Sequence, residues 1–150
     1  MHIYIDADAC PIPVKEVLFR VSERRQLALT LVANQYMTVP STNLIKFIVV
    51  SAGPDVADAK IVELVEEDDL VITQDIPLAD LVVEKKAFAM DPRGILFTAA
   101  NIKERLSMRD FMTELRSNGV ETGGPPPFTD RDRQNFNNSL DRLLTKQLKK

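Results

Sequence analysis

The chain is poor in the residues that many redox and metal chemistries draw on. Its 150 residues include one cysteine, Cys10, and one histidine, His2. An internal disulfide framework is excluded, and a His/Cys zinc site has almost no ligands available. With a single histidine, a mechanism built on several histidines is excluded as well. No apolar run approaches the roughly 18–20 residues that span a bilayer. Asp6 and Asp8 interrupt the first apolar stretch, against a secretory signal. A lone cysteine suits a reducing compartment, so the expected location is cytoplasmic, with no membrane contact. Internal repeats and low-complexity segments are absent too.

What is present is an ordinary globular composition, 45% hydrophobic and 27% charged. The length predicts one domain over residues 1–150. The only linker-like piece, residues 122–128, is too short to separate two. The net charge of −3 is unevenly spread: Arg131 to Lys150 holds six basic and two acidic residues, so this tail is +4 on a body of −7. A basic end on an acidic body fits an anionic partner, and equally a solvated helix face.

Hydrophobic patterning alternates between strand and helix signals. "HIYID" reads as a buried strand, followed by a helix opened by Pro11 or Pro13, with Val14, Val17, Leu18 and Val21 at helical spacing. "LALTLVAN", "IKFIVVS", "LVIT" and "AFAM" read as further strands, and "ILFT" as a sixth after the turn "DPRG". Helices are predicted in "GPDVADAKIVELVEEDD", in "DIPLADLVVEK" opened by Asp75, and in "SMRDFMTELRSNG" with Ser107 as cap. "EEDD", residues 66–69, reads as a solvated helix end. After "TGGPPPF", Thr129 with Asp132 forms a cap pattern, and Phe136, Leu140, Leu143, Leu144 and Leu148 share one face. This last helix, 129–147, is expected to dock on the body. The alternation predicts a three-layer α/β fold with a mainly parallel sheet and helices on both faces.

In such a sheet, ligands bind beyond the carboxyl ends of the strands. Asp6 ends the first strand, Asp75 follows the fourth, and Asp55 and Asp58 follow the third. Carboxylates gathered at one edge repel each other, and a divalent cation relieves the conflict. Mg²⁺ and Mn²⁺ prefer oxygen ligands and can promote phosphodiester cleavage. Asp6, Asp8, Asp58 and Asp75 are therefore the expected metal ligands, with Asp6 and Asp75 catalytic and Asp55 and Asp80 as further candidates. Lys15, Asn34 and Arg93 are candidate phosphate contacts. The structural alternative makes Asp6 and Asp75 helix caps, worth about 1 kcal/mol each. Cys10 reads as a small buried filler. A second functional reading takes "YIDADAC" as the D-x-D motif of haloacid-dehalogenase-type phosphatases, with Asp6 as nucleophile. It lacks the usual threonine, replaced by Cys10, and the glycine replaced by Gln74. A third reading is a non-catalytic domain that binds RNA, a nucleotide or a protein.

Taken in order, "DADACP", "GPDVADAKI", "DLVITQDIPLA", "DPRG" and "GGPPPF" resemble the YaiI/YqxD family of uncharacterised bacterial proteins. The resemblance runs from about residue 3 to the last helix. That family is grouped with PIN-like domains, many of them Mg²⁺- or Mn²⁺-dependent ribonucleases. It therefore implies a PIN-like fold, an acidic metal site and RNA as partner. Asp6 fits the first-strand aspartate of PIN domains, and Asp75 their later strand-end aspartate. The remaining PIN acids do not map cleanly, with Asp55 and Asp58 standing near the usual mid-chain glutamate. Nothing in the residues sets an oligomeric state.

Overall fold

The computed structural model describes residues 1–53, 55–123 and 126–148. Pro54 of the expected Gly-Pro helix start, Gly124 and Pro125 of "GGPPPF", and the basic residues Lys149 and Lys150 lie outside them. Six strands form one sheet: β1 (His2–Asp6), β2 (Ala28–Ala33), β3 (Ile45–Val49), β4 (Leu70–Ile72), β5 (Phe88–Met90) and β6 (Leu96–Phe97). Five helices accompany them: α1 (Ile12–Arg25), α2 (Val56–Leu64), α3 (Ile76–Glu84), α4 (Ile102–Ser117) and α5 (Asp130–Leu148). The strand order is β3-β2-β1-β4-β5-β6. The first five strands are parallel, and β6 runs antiparallel to β5. The reversal is local. Asp91 accepts from the backbone N–H groups of Arg93 and Ile95 (both 2.9 Å), folding "DPRG" into a tight turn.

The period of two along each strand sorts the core into two layers. Ile3, Ile5, Leu29, Leu31, Leu70 and Ile72 face α1 and α5, where they meet Val14, Leu18, Phe136 and Leu140. Tyr4, Val32, Val71 and Ala89 face the other way, against Ile61 of α2, Leu78 and Val82 of α3, and Ile102 of α4. The result is a helix–sheet–helix sandwich with Rossmann-like strand order.

Helix ends follow side-chain chemistry. α1 begins at Ile12 with Pro11 as cap and Pro13 in its first turn. α5 begins with a reciprocal box, in which the Thr129 N–H donates to Asp132 Oδ2 (2.9 Å) and the Asp132 N–H to Thr129 Oγ1 (3.1 Å). Phe136, Leu140, Leu143 and Leu144 are buried, whereas Leu148 is exposed in the last turn, so the expected stripe ends one turn early. α4 starts at Ile102, not near Ser107. Thr98 and Asn101 exchange side-chain-to-backbone hydrogen bonds just before it, so the signal lies in "TAAN" and Ser107 stands mid-helix. Only Ile102 of α4 is buried. "EEDD" also departs from expectation: Asp69 is buried and accepts from the backbone N–H groups of His2 and Glu66 (both 2.9 Å). It ties the start of β1 to the start of β4. No helix among the described residues is long and apolar enough to cross a membrane.

Candidate functional site

After β1 the chain adds β2 and β3 on one side, then crosses to add β4 on the other. Beyond their carboxyl ends, β1 and β4 therefore border the crevice where an open α/β sheet binds ligands. Asp6 is the last residue of β1 and Thr73 follows β4. Buried Thr73 joins the two strands: its hydroxyl donates to Asp6 Oδ2 (3.1 Å) and accepts from the Asp75 N–H (3.0 Å). Asp75 caps α3, its Oδ1 accepting from the Leu78 N–H (2.9 Å). One carboxylate oxygen of Asp75 also lies within 4.8 Å of oxygens from Asp55 and Asp58, which are within the same distance of each other. Asp55 adopts the left-handed backbone at the start of α2 (φ 62°), and Asp58 sits in its first turn. Asp75 thus satisfies the capping and the cluster readings together, while Asp6 makes no side-chain cap.

The electrostatics follow from this crowding. Burial pushes the Asp6 carboxyl above its ordinary value, opposed by the Thr73 hydroxyl and reinforced by the charges of Asp75 and Asp8. Asp58 is pushed up to about 7 by burial first, then by its hydrogen-bond contact with Asp75 and the charges of Asp75, Asp6 and Asp55. Asp58 therefore keeps its proton to near neutral pH in the metal-free chain.

Of the other candidates, Asp8 leans toward β2, where its Oδ2 accepts from the Asn34 backbone N–H (2.8 Å). That is the side of β1 away from β4. It brings Asn34 to the same edge through its backbone. Lys15 turns its ammonium to Met37 Sδ (3.2 Å). Asp80 is held by Lys103 of α4 (2.8 Å), away from the converging oxygens. Arg93 is already engaged, with Asp132 (2.8 Å), the Pro126 carbonyl (2.6 Å) and the Phe128 ring, so it fastens the start of α5. Cys10 is buried and its thiol is pushed up to about 12, by burial first and by Asp6, against the opposing charge of Lys15. It is a thiol, not a nucleophilic thiolate.

A family profile described as "Uncharacterized BCR, YaiI/YqxD family" matches residues 4–146. The chain belongs to this family. Among its family relatives, a UPF0178 protein of Colwellia psychrerythraea is 54% identical over 150 residues, covering 100% of this chain and 99% of the relative. A UPF0178 protein of Shewanella amazonensis is 57% identical over 146 residues (97% and 98%), and one of Maridesulfovibrio salexigens is 57% identical over 148 (99% and 98%). No solved structure matches the chain.

For this family member, Asp55, Asp58 and Asp75 form an all-oxygen donor set, joined by no histidine or cysteine among the described residues. Hard cations of the Mg²⁺ or Mn²⁺ type suit such a set, and softer metals do not. Sequence reading missed Thr73, which orients two of the acids at once. Its only signal was a hydroxyl placed directly after a buried strand and before a capping aspartate. Arg105 was missed too. It lies over the Phe97 ring (5.7 Å) and lines a pocket of about 290 Å³ beside Gln74 at the same edge.

Proposed function

We propose that this YaiI/YqxD-family chain is a PIN-like, divalent-metal-dependent ribonuclease, working in the cytoplasm on single-stranded RNA. The observation that carries the reading is the convergence of Asp55, Asp58 and Asp75 within 4.8 Å beside the switch-point crevice that Asp6 borders. Three acids so close are costly without a cation and well suited to one. Asp55, Asp58 and Asp75 would hold Mg²⁺ or Mn²⁺, with Asp6 alongside; bound there, the cation supplies Lewis-acid stabilisation of charge on the scissile phosphate.

The chain's own groups do the rest. The Leu78 N–H holds the Asp75 carboxylate in one orientation. Thr73 sets the distance between Asp6 and the α3 cap. Asp6, with its proton affinity raised by burial, would take the proton from the attacking water as the new P–O bond forms, and the oxygen released when the other P–O bond breaks would be protonated from solvent. Arg105, which shares a pocket with Gln74 and Asp91, is a candidate to offset phosphate charge at this edge, since Arg93 is committed to Asp132. The phosphatase alternative is less well supported. It needs Asp8 poised as an acid over Asp6, and Asp8 instead accepts from Asn34.

The test is cleavage of a labelled single-stranded RNA with Mn²⁺ and with EDTA, by wild type, Asp6→Asn and Asp75→Asn. Cutting that needs Mn²⁺ and disappears in both variants is the expected result. Cutting that survives both would come from a contaminant and remove the reading. Hydrolysis of a phosphomonoester with a trapped beryllofluoride adduct on Asp6 would establish the phosphatase instead.

A further inference from the structure

On the face of the sheet opposite α2 and α3, a polar cleft of about 230 Å³ opens between α1 and α5. Its walls are Arg20 and Arg24 of α1 and Arg133 of α5, with the amides of Gln134 and Asn137 beside them. No carboxylate lines it. Arg20 and Arg24 are four residues apart and so share a helix face, where like charges destabilise. Among the described residues, none of these three guanidiniums has an ion-pair or hydrogen-bond partner. Neighbouring arginines differ: Arg25 pairs with Asp141 and Arg93 with Asp132, both at 2.8 Å. On a chain with a net charge of −3, three cations lining one cleft with no carboxylate in its walls form a site complementary to an anion. Guanidiniums grip phosphate oxygens in pairs, and the two amides add neutral donors.

We propose that this cleft anchors backbone phosphates of the RNA strand whose scissile phosphate sits at the acidic edge. The inference rests on the ribonuclease reading. Both helices begin at that edge: α1 follows β1, and Arg93 ties the first turn of α5 to the turn after β5. Arg20 is the ninth residue of α1, so the cleft lies about 12 Å below the edge at 1.5 Å per residue, within reach of a few nucleotides. The anchor also answers an electrostatic need. An acidic site repels a polyanion, so binding requires cations displaced from the carboxylates but continuous with the strand's path.

The experiment measures fluorescence anisotropy of a labelled 12-nucleotide single-stranded RNA in EDTA, so that nothing is cut, as salt is raised. Three phosphate contacts contribute a slope of about 2 in log affinity against log salt on a single strand. The triple variant Arg20→Gln, Arg24→Gln, Arg133→Gln should lose that slope. Over a fourfold rise in salt, wild type should then lose about 16-fold more affinity than the variant. The matching lysine triple should keep most of the slope. A control triple with the same charge change elsewhere, Lys60→Gln, Arg109→Gln, Arg116→Gln, should leave it unchanged. Equal losses in the two glutamine triples, an unchanged slope in the cleft variant, or no RNA binding by wild type would each overturn the anchor. Slope loss in the cleft variant with no Mn²⁺-dependent cutting by wild type would keep the anchor and remove the ribonuclease reading. Cutting abolished by Asp75→Asn, with an unaltered cleft slope, would do the reverse.

Discussion

Replacing Asp58 by asparagine should stabilise the metal-free protein at pH 8 and do nothing at pH 4. The folded chain holds the Asp58 carboxyl at about 7 against an ordinary 3.8, so folding favours its protonated form. A carboxyl raised in this way contributes stability that is fully present below the unfolded value. That stability is lost as pH climbs through about 7. Were the group wholly shielded, the loss would reach about 4 kcal/mol. Asp58 is half exposed, and solvent screening reduces this to about 1–2 kcal/mol. Asparagine keeps the shape and removes the charge, so the variant should recover that amount above pH 7. In a chain of this size it corresponds to a rise of about 2–8 °C in midpoint. Thermal unfolding of both proteins in EDTA at pH 4 and pH 8 reads the net effect of Asp58 and of the acids it touches, since all groups distant from the cluster titrate alike in the pair. With saturating Mn²⁺ the order should reverse. A site filled at 100 times its dissociation constant adds about 2.7 kcal/mol to wild type, and the variant lacks a ligand. Equal midpoints in EDTA at pH 8 would refute the claim that these carboxylates crowd each other. Equal midpoints of wild type with and without Mn²⁺ would refute the cation site.

Leu140→Ala with Leu144→Ala should destabilise the whole protein by about 4 kcal/mol or more, since each buried leucine truncation costs about 2–5 kcal/mol and both side chains are fully buried. Urea unfolding at an unchanged midpoint would mean that α5 does not contribute to the core. Gly94→Ala should cost more than about 1 kcal/mol, because Gly94 has φ +92° and a Cβ there would lie 2.7 Å from the Asn135 carbonyl oxygen. Native Cys10, a thiol pushed up to about 12, should resist iodoacetamide at pH 8 and react readily once the chain is unfolded in urea.

The fold was legible wherever a period and a punctuation residue agreed. β1 to β4 and helices α1, α3 and α5 follow from alternating or helical apolar spacing joined to Pro11, Asp75 or Thr129. α4 was misplaced because one apolar residue, Ile102, holds it to the body, so its start carried no stripe. The true signal was the exchange between Thr98 and Asn101, and Ser107 with Asp110 imitated it at the same spacing. Asp69 was misread for a related reason. A charge in an acidic run looks solvated until two backbone N–H groups, one of them 67 residues away, are seen to hold it.

Site residues were legible by type and by place along the sheet edge, but not by partner. Asp6, Asp55, Asp58 and Asp75 were expected near one edge because topology alone puts strand ends there. Which charges stay free depends on contacts distant in sequence. Arg93, in the turn after the fifth strand, reads as a free cation, yet Asp132, 39 residues on, takes it. Asp80 reads as a late acid of the cluster, yet Lys103 takes it. Pairing thus separates charges that build the fold from charges left available to a ligand. After that separation, anionic groups remain together at the β1–β4 edge, and cationic groups remain together between α1 and α5. In the isolated chain the proton that Asp58 keeps to near neutral pH eases the acidic crowding in part, while the three arginines of the cleft have no ion-pair partner among the described residues. On the proposed reading, a polyanion with a divalent cation would relieve both at once: the cation would neutralise the acids, and the arginines would take the phosphates beyond it. A ligand that relieved only one would leave the other unexplained, and this favours an extended phosphodiester chain over a free nucleotide.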